Sequence, residues 1–234
     1  MKKKMVGEVP GNVPGMMADL NLKLQQGNIS QKQLEMFLKK QNPFAGLDYS
    51  VILADWERYF WKIHGLRTDF AGVRIPEADD KDVPWFICRP ENFFAERAFS
   101  GGKKLYPKWK HKDKSLDLDD VLDLSFGRDG QTYHYIVRVR ANWEADEDMA
   151  NISANGIVGK GFDTICLTER LLLGDFLFWK YERHLDIKNI TLCAGSRYSD
   201  GDVPDVDWDN GRLRVGWSYP DEADPDFRSR QTVS

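Results

Sequence analysis

Cysteine and histidine are scarce in this chain, three and four among 234 residues. The cysteines stand in WFICRP (Cys88), DTICLTE (Cys166) and ITLCAGS (Cys193), with no C-x-x-C pair and no metal-ligand spacing. An odd number also fits no fully paired disulfide framework. Buried, reduced thiols of an intracellular protein are the expectation. Cys193, beside a polar loop, is the one thiol placed to act as a nucleophile, but it lacks a neighbouring His. The histidines (His64, His111, His134, His184) show no H-x-E or H-x-x-x-H spacing, and no G-x-S-x-G elbow accompanies them. No metal and no cofactor is therefore expected.

A membrane-spanning run is missing too. The most apolar stretch, TICLTERLLLGDFLFWKY, is interrupted by Glu169, Arg170 and Asp175 and is too short to cross a bilayer. The opening MKKKMVGEVPGNVPG is basic but lacks the apolar core of a secretory signal. Together these predict a soluble, cytoplasmic protein without a membrane partner. The net charge of -4 gives no global attraction to nucleic acid, so any basic footprint must be local.

Against these absences, hydrophobic residues make up 41% and charged residues 30%, enough for a sizeable core. Eight Trp, eight Tyr and thirteen Phe imply an aromatic-rich core or an aromatic surface that a partner covers. Gly and Pro make residues 1–15 a flexible lead-in. ADLNLKLQQGNISQKQLEMFLKKQNPF reads as a helical hairpin within 16–46, its first helix stopped by Gly27. The second is opened by the Ser30/Gln33 capping box, carries Leu34, Phe37 and Leu38 as a stripe, and ends at Asn42-Pro43. Outward basic charge is confined to Lys39 and Lys40, which favours a packing or partner-binding hairpin over a DNA-reading helix-turn-helix.

Residues 47–234 read as one domain. Ser50 opens a helix over VILADWERYFWKIHG with Ile52, Trp56, Phe60 and Ile63 on one face and Gly65 at its end. LRTDFAGVRIP, DVPWFICRP and NITLCA are predicted strands, with a short helix between Glu91 and Gly102. In TYHYIVRVR, Tyr133, Tyr135, Val137 and Val139 alternate with Thr132, His134, Arg138 and Arg140. ADEDMANISAN reads as a short acidic helix. From Ile165 to Trp179 apolar residues cover most of the circumference, predicting a buried helix. The irregular alternation indicates an α+β fold: a mixed or antiparallel sheet with a buried central helix and an N-terminal helical hairpin.

Four stretches invite functional readings. NGIVGKGFDTI fails as a Walker A loop, because Lys160 is followed by Gly161 rather than Ser or Thr. It fails as a G-x-x-G clamp because Phe162 would block close backbone approach, and it reads better as a glycine-rich entry to the buried helix. GGKKLYPKWKHKDK interleaves lysines with rings, as single-strand nucleic-acid surfaces do; its candidates are Lys103, Lys104, Tyr106, Lys108, Trp109, Lys110 and Lys112. The competing account has Asp117, Asp119, Asp120 and Asp123 neutralise these lysines across a hairpin.

VPDVDWDNGRLRVGW places aspartates at calcium-loop spacing, but Gly216 stands where the bidentate Glu belongs. As a hairpin it fits: Asn210-Gly211 makes a two-residue turn that sets Asp209 opposite Arg212, Trp208 opposite Leu213, Asp207 opposite Arg214 and Val206 opposite Val215. Upstream, Arg197, Tyr198, Ser199 and Asp200 are candidate ligand-binding residues. Arg197 could clamp a phosphate or carboxylate, Tyr198 could stack, and Ser199 and Asp200 could hydrogen-bond. Alternatively Arg197 and Asp200 pair with each other and order the loop.

NPF at Asn42–Phe44, EADED, NISAN, TERLLL, HLDIKN, LCAGSRYSDGDVP and RSRQTVS together resemble a family of uncharacterised hypothetical proteins from candidate-phylum bacteria. The resemblance is densest from Glu144 to Ser234 and weakest over Pro90–Gly130. It implies a standalone bacterial protein and carries no activity with it. The functional expectation is a non-enzymatic binding protein, with an unidentified protein or single-stranded nucleic acid as partner. The alternative is an enzyme on a phosphorylated or nucleotide-like molecule at the Gly195–Pro204 loop, with Arg138 or Glu169 converging on Arg197 and Asp200.

Overall fold

The structure is a computed structural model and describes residues 13–25, 31–39, 49–78, 83–110 and 117–234. Gly27, Ser30, Lys40, Asn42, Pro43, His111 and Lys112 lie outside the described residues. Chain contacts divide the protein into two units, Met1–Ser50 and Val51–Ser234. The first contains helices α1 (Val13–Gln25) and α2 (Gln31–Leu38). A Lys23–Asp19 ion pair of 2.8 Å, one turn apart, braces α1.

In the second unit, α3 (Ser50–Tyr59) runs into one π-helical turn, Phe60–His64, which Gly65 ends at φ 64°. Trp56, Tyr59 and Phe60 are fully buried, and Trp56 stacks on Phe176 with ring centroids 3.9 Å apart. There follow β1 (Trp85–Arg89), α4 (Ala95–Gly102), β2 (Lys108–Lys110), α5 (Leu118–Val121) and β3 (Tyr135–Val139). After these come α6 (Ala154–Gly159), α7 (Leu167–Tyr181), β4 (Ile190–Leu192), β5 (Val203–Asp209), β6 (Arg212–Ser218), β7 (Phe227–Arg228) and β8 (Thr232–Val233). One sheet is antiparallel in the order β1-β3-β8. The other is mixed, β2-β6-β5-β4-β7, with β2 parallel to β6 and β4 parallel to β7. The fold is α+β. No helix among the described residues is long and apolar enough to cross a membrane.

The buried central helix is α7, packed on α4, on β1 of the first sheet and on β5 of the second. Its residues from Leu167 to Leu177 are all buried, including Glu169, Arg170 and Asp175. Charges so placed need partners. Arg170 pairs with Asp186 at 2.9 Å, and Asp186 also accepts from Arg230 at 2.6 Å. Asp175 accepts from Lys108 at 2.6 and 2.7 Å and from the Tyr106 hydroxyl. Burial pushes the Asp175 carboxyl up and the Lys108 ammonium down, and each charge offsets part of the other's shift.

The β5–β6 hairpin has the register that Asn210-Gly211 dictates, Val206 opposite Val215 through Asp209 opposite Arg212. Asn210 and Gly211 both have positive φ, 50° and 77°. Arg214 grips Asp207 with two parallel bonds of 2.8 and 2.5 Å. Asp205 departs from the exposed charged face expected of this strand. It is 6% exposed and accepts from the Ser218 hydroxyl at 2.6 Å.

Burial raises the Asp205 carboxyl from its ordinary 3.8 to about 6. Between those values the folded chain holds a proton that the unfolded chain has released. Stability from this group is therefore present at low pH and lost as pH rises through about 6. Asp205→Asn is expected to be near neutral at pH 3.5, below both values, and to stabilise by about 3 kcal/mol at pH 8. Urea midpoints at the two pH values check this, and equal effects at both would refute it.

Four local expectations are corrected. LRTDFAGVRIP forms no strand: Asp69 caps its own turn through the Ala71 N–H at 2.8 Å, and Gly72 turns at φ 79°. The Pro76, Ala78 and Val83 carbonyls of this segment accept from Arg138, and β3 is buried along its whole length. ADEDMANISAN splits into a single 3₁₀ turn, Glu147–Met149, and α6, which Ser153 caps through the Gly156 N–H at 3.1 Å. Gly156 and Gly159 therefore belong to α6 and do not form the entry to α7. Finally, β2 forms no hairpin with residues 117–123: it pairs with β6, and Lys108 and Lys110 bind Asp175 and Glu96.

Candidate functional site

Arg197, Tyr198, Ser199 and Asp200 lie in a tight turn, and their side chains tie it to itself and to distant segments. Arg197 donates to the Ala194 and Ser196 carbonyls and to Asn155 Oδ1, lies 4.7 Å from the Phe126 ring centroid, and is 9% exposed. The buried Tyr198 donates to the Gly216 carbonyl at 3.1 Å, and Ser199 to that of Val121 at 3.1 Å. Asp200 accepts the Asp202 N–H, with Gly201 at φ 94° completing the turn. Arg197 does not pair with Asp200, and Glu169 and Arg138 are held elsewhere by their own partners.

The basic strip is divided: Lys103 and Lys104 are exposed, while Tyr106 and the Lys108 side chain turn inward. Tyr106 and Lys108 are buried on Asp175, Lys104 donates to the Ile63 carbonyl at 2.6 Å, and Lys110 donates to Glu96 at 2.8 Å. Lys103 lies over the Phe99 ring and Arg212 over that of Trp109.

A cleft of about 520 Å³ lies instead beside the three-stranded sheet. Three stretches of chain line it: Val73, Arg74 and Pro76; Tyr133, His134, Tyr135 and Ile136, leading into β3; and Arg128, Asp163 and Ser234. Arg74 is exposed and makes no ion pair with a described residue. Tyr133 is 59% exposed, its ring edge-on to Tyr135 at 6.2 Å.

The floor is anchored to α7. Arg128 chelates Glu169, donating from Nε to Oε1 at 2.6 Å and from Nη2 to Oε2 at 2.9 Å. Its Nη2 also reaches the Thr164 carbonyl and Thr232 Oγ1, and Nη1 binds Asp163. Burial opposes the Arg128 charge, but Glu169 and Asp163 outweigh it and hold the group protonated. Tyr135 donates to Glu169 Oε1 at 2.9 Å and accepts from Arg89 at 3.1 Å; burial, then Glu169, pushes its phenol well up, so it stays an O–H.

Behind them, Arg89 also holds the Phe93, Arg128 and Asp129 carbonyls. Asp129 accepts from Thr168 and from the Ser196 hydroxyl. The same turn is therefore tied to α7 and to the Cys193–Arg197 segment at once. The sequence signal for this arrangement was Gly127-Arg128-Asp129-Gly130, two opposite charges bracketed by glycines. Among the described residues no three His, Cys, Asp or Glu side chains come together to hold a metal. Compared with protein-family models, curated proteins and solved structures, the chain finds no match in any of the three.

Proposed function

We propose that the chain is a binding protein whose cleft takes a small anion carrying a planar ring, a nucleotide-like molecule. The observation that carries this is Arg74: an exposed guanidinium without an ion-pair partner among the described residues, lining a 520 Å³ cleft that the open Tyr133 ring also lines. That volume lies in the range of small-molecule sites, a planar guanidinium suits phosphate or carboxylate, and a rigid phenol suits a base. Binding is preferred to catalysis because Tyr135 and Glu169 are both saturated by hydrogen bonds and shape the floor. The reading moves the nucleotide-like ligand away from the Gly195–Pro204 loop, whose side chains serve the turn.

Calorimetry with adenosine, cyclic AMP and AMP tests it. The charged probes are expected to bind more tightly than adenosine. Arg74→Ala should weaken them about tenfold while leaving Tm unchanged, since the side chain supports no other group. Failure of all three to bind, or wild-type affinity in Arg74→Ala, overturns it.

A further inference from the structure

We propose that Asp163 is an internal competitor for the ligand's anionic group and sets the charge that the cleft accepts; the inference rests on the cleft being a binding site. Arg128 has two unequal neighbours. Toward the interior, Glu169 is fully buried and also accepts from Tyr135 and from the Cys166 N–H at 3.0 Å, so it cannot leave. Toward the cleft, Asp163 occupies the outer Nη1 with a side chain 43% exposed, against 17% for Arg128. Among the described residues, its other carboxylate oxygen accepts only the Ser234 hydroxyl, at 2.8 Å. The outer edge of the guanidinium is thus covered by a replaceable carboxylate.

Two carboxylates around one arginine leave that wall with one excess negative charge. An entering anion meets Asp163 before it meets Arg128, and like charges at this range repel more strongly as the ligand's charge grows. Asp163 therefore disfavours a dianionic phosphate more than a monoanion and leaves a neutral ligand untouched. It is a positioning and specificity residue; its main-chain carbonyl, which accepts the Thr232 N–H, survives any side-chain change.

The test measures adenosine, cyclic AMP and AMP, uncharged, singly and doubly charged at pH 8, on the wild type, Asp163→Asn and Asp163→Ser. Both variants are expected to bind AMP about tenfold more tightly, cyclic AMP about threefold, and adenosine unchanged. Equal gains for all three probes would mean that the substitution merely widens the cleft, and would overturn the proposal. So would no gain with a wild type that binds, which leaves the cleft reading standing. Absence of binding in every protein would overturn both.

Discussion

Asp175→Ala is expected to destabilise the protein by about 3–5 kcal/mol, the usual cost of stripping one partner from a buried ion pair. Neither Lys108 nor Asp175 has any exposed side-chain area. Without the carboxylate, Lys108 keeps an ammonium in the core and the Tyr106 hydroxyl loses its acceptor. The contact is also tight: a Cβ at Gly102 would strike both Asp175 Oδ2 and Lys108 Nζ, so the core cannot readily close over the gap. Lys108→Met/Asp175→Leu is expected to recover most of the loss, because the pair's attraction only offsets what its burial costs. Urea denaturation of Lys108→Met, Asp175→Leu and the double closes the cycle. A loss below about 1 kcal/mol in Asp175→Ala would show that Lys108 finds another partner or water.

Gly127→Ala should cost about 3 kcal/mol or more and abolish binding in the cleft. Gly127 has φ 61°, and a Cβ there would collide with the Gly195 carbonyl oxygen, a main-chain atom that cannot swing aside. The next residue is Arg128, so backbone movement here shifts the cleft floor and its link to α7. Gly161→Ala separates the two causes. It has φ 73° but open space around its Cβ position, and so should lose only the roughly 1–2 kcal/mol of left-handed strain. Comparable losses in the two variants would remove the collision from the explanation.

The parts of this fold legible in the sequence are those that local chemistry decides. Asn210-Gly211 sets the β5–β6 register over a few residues, and the all-round apolarity of α7 has no other use than burial. Illegible were features settled by distant partners. Arg138 read as a residue that could converge on Arg197 and Asp200, yet it holds carbonyls about sixty positions earlier. Lys108 looked like a phosphate contact because its partner is 67 residues away on α7. Arg197, Tyr198, Ser199 and Asp200 read as ligand-binding candidates, yet much of their hydrogen bonding goes to main-chain carbonyls and N–H groups that local sequence does not reveal. The cleft draws on positions 74, 128, 133–136, 163 and 234, and no window of sequence contains it.

The edge strand β8 carries a consequence for the order of folding. It completes the first sheet by pairing with Arg138 and Val139, Arg128 reaches Thr232 across 104 residues, and Arg230 reaches the Asn142 carbonyl across 88. Each such closure loses chain entropy before it gains a contact. Helix α7 and the β5–β6 hairpin can form from nearby residues, so they are available as an early nucleus. The cleft waits for the slowest and longest loop closures, and is among the last features of the molecule to exist.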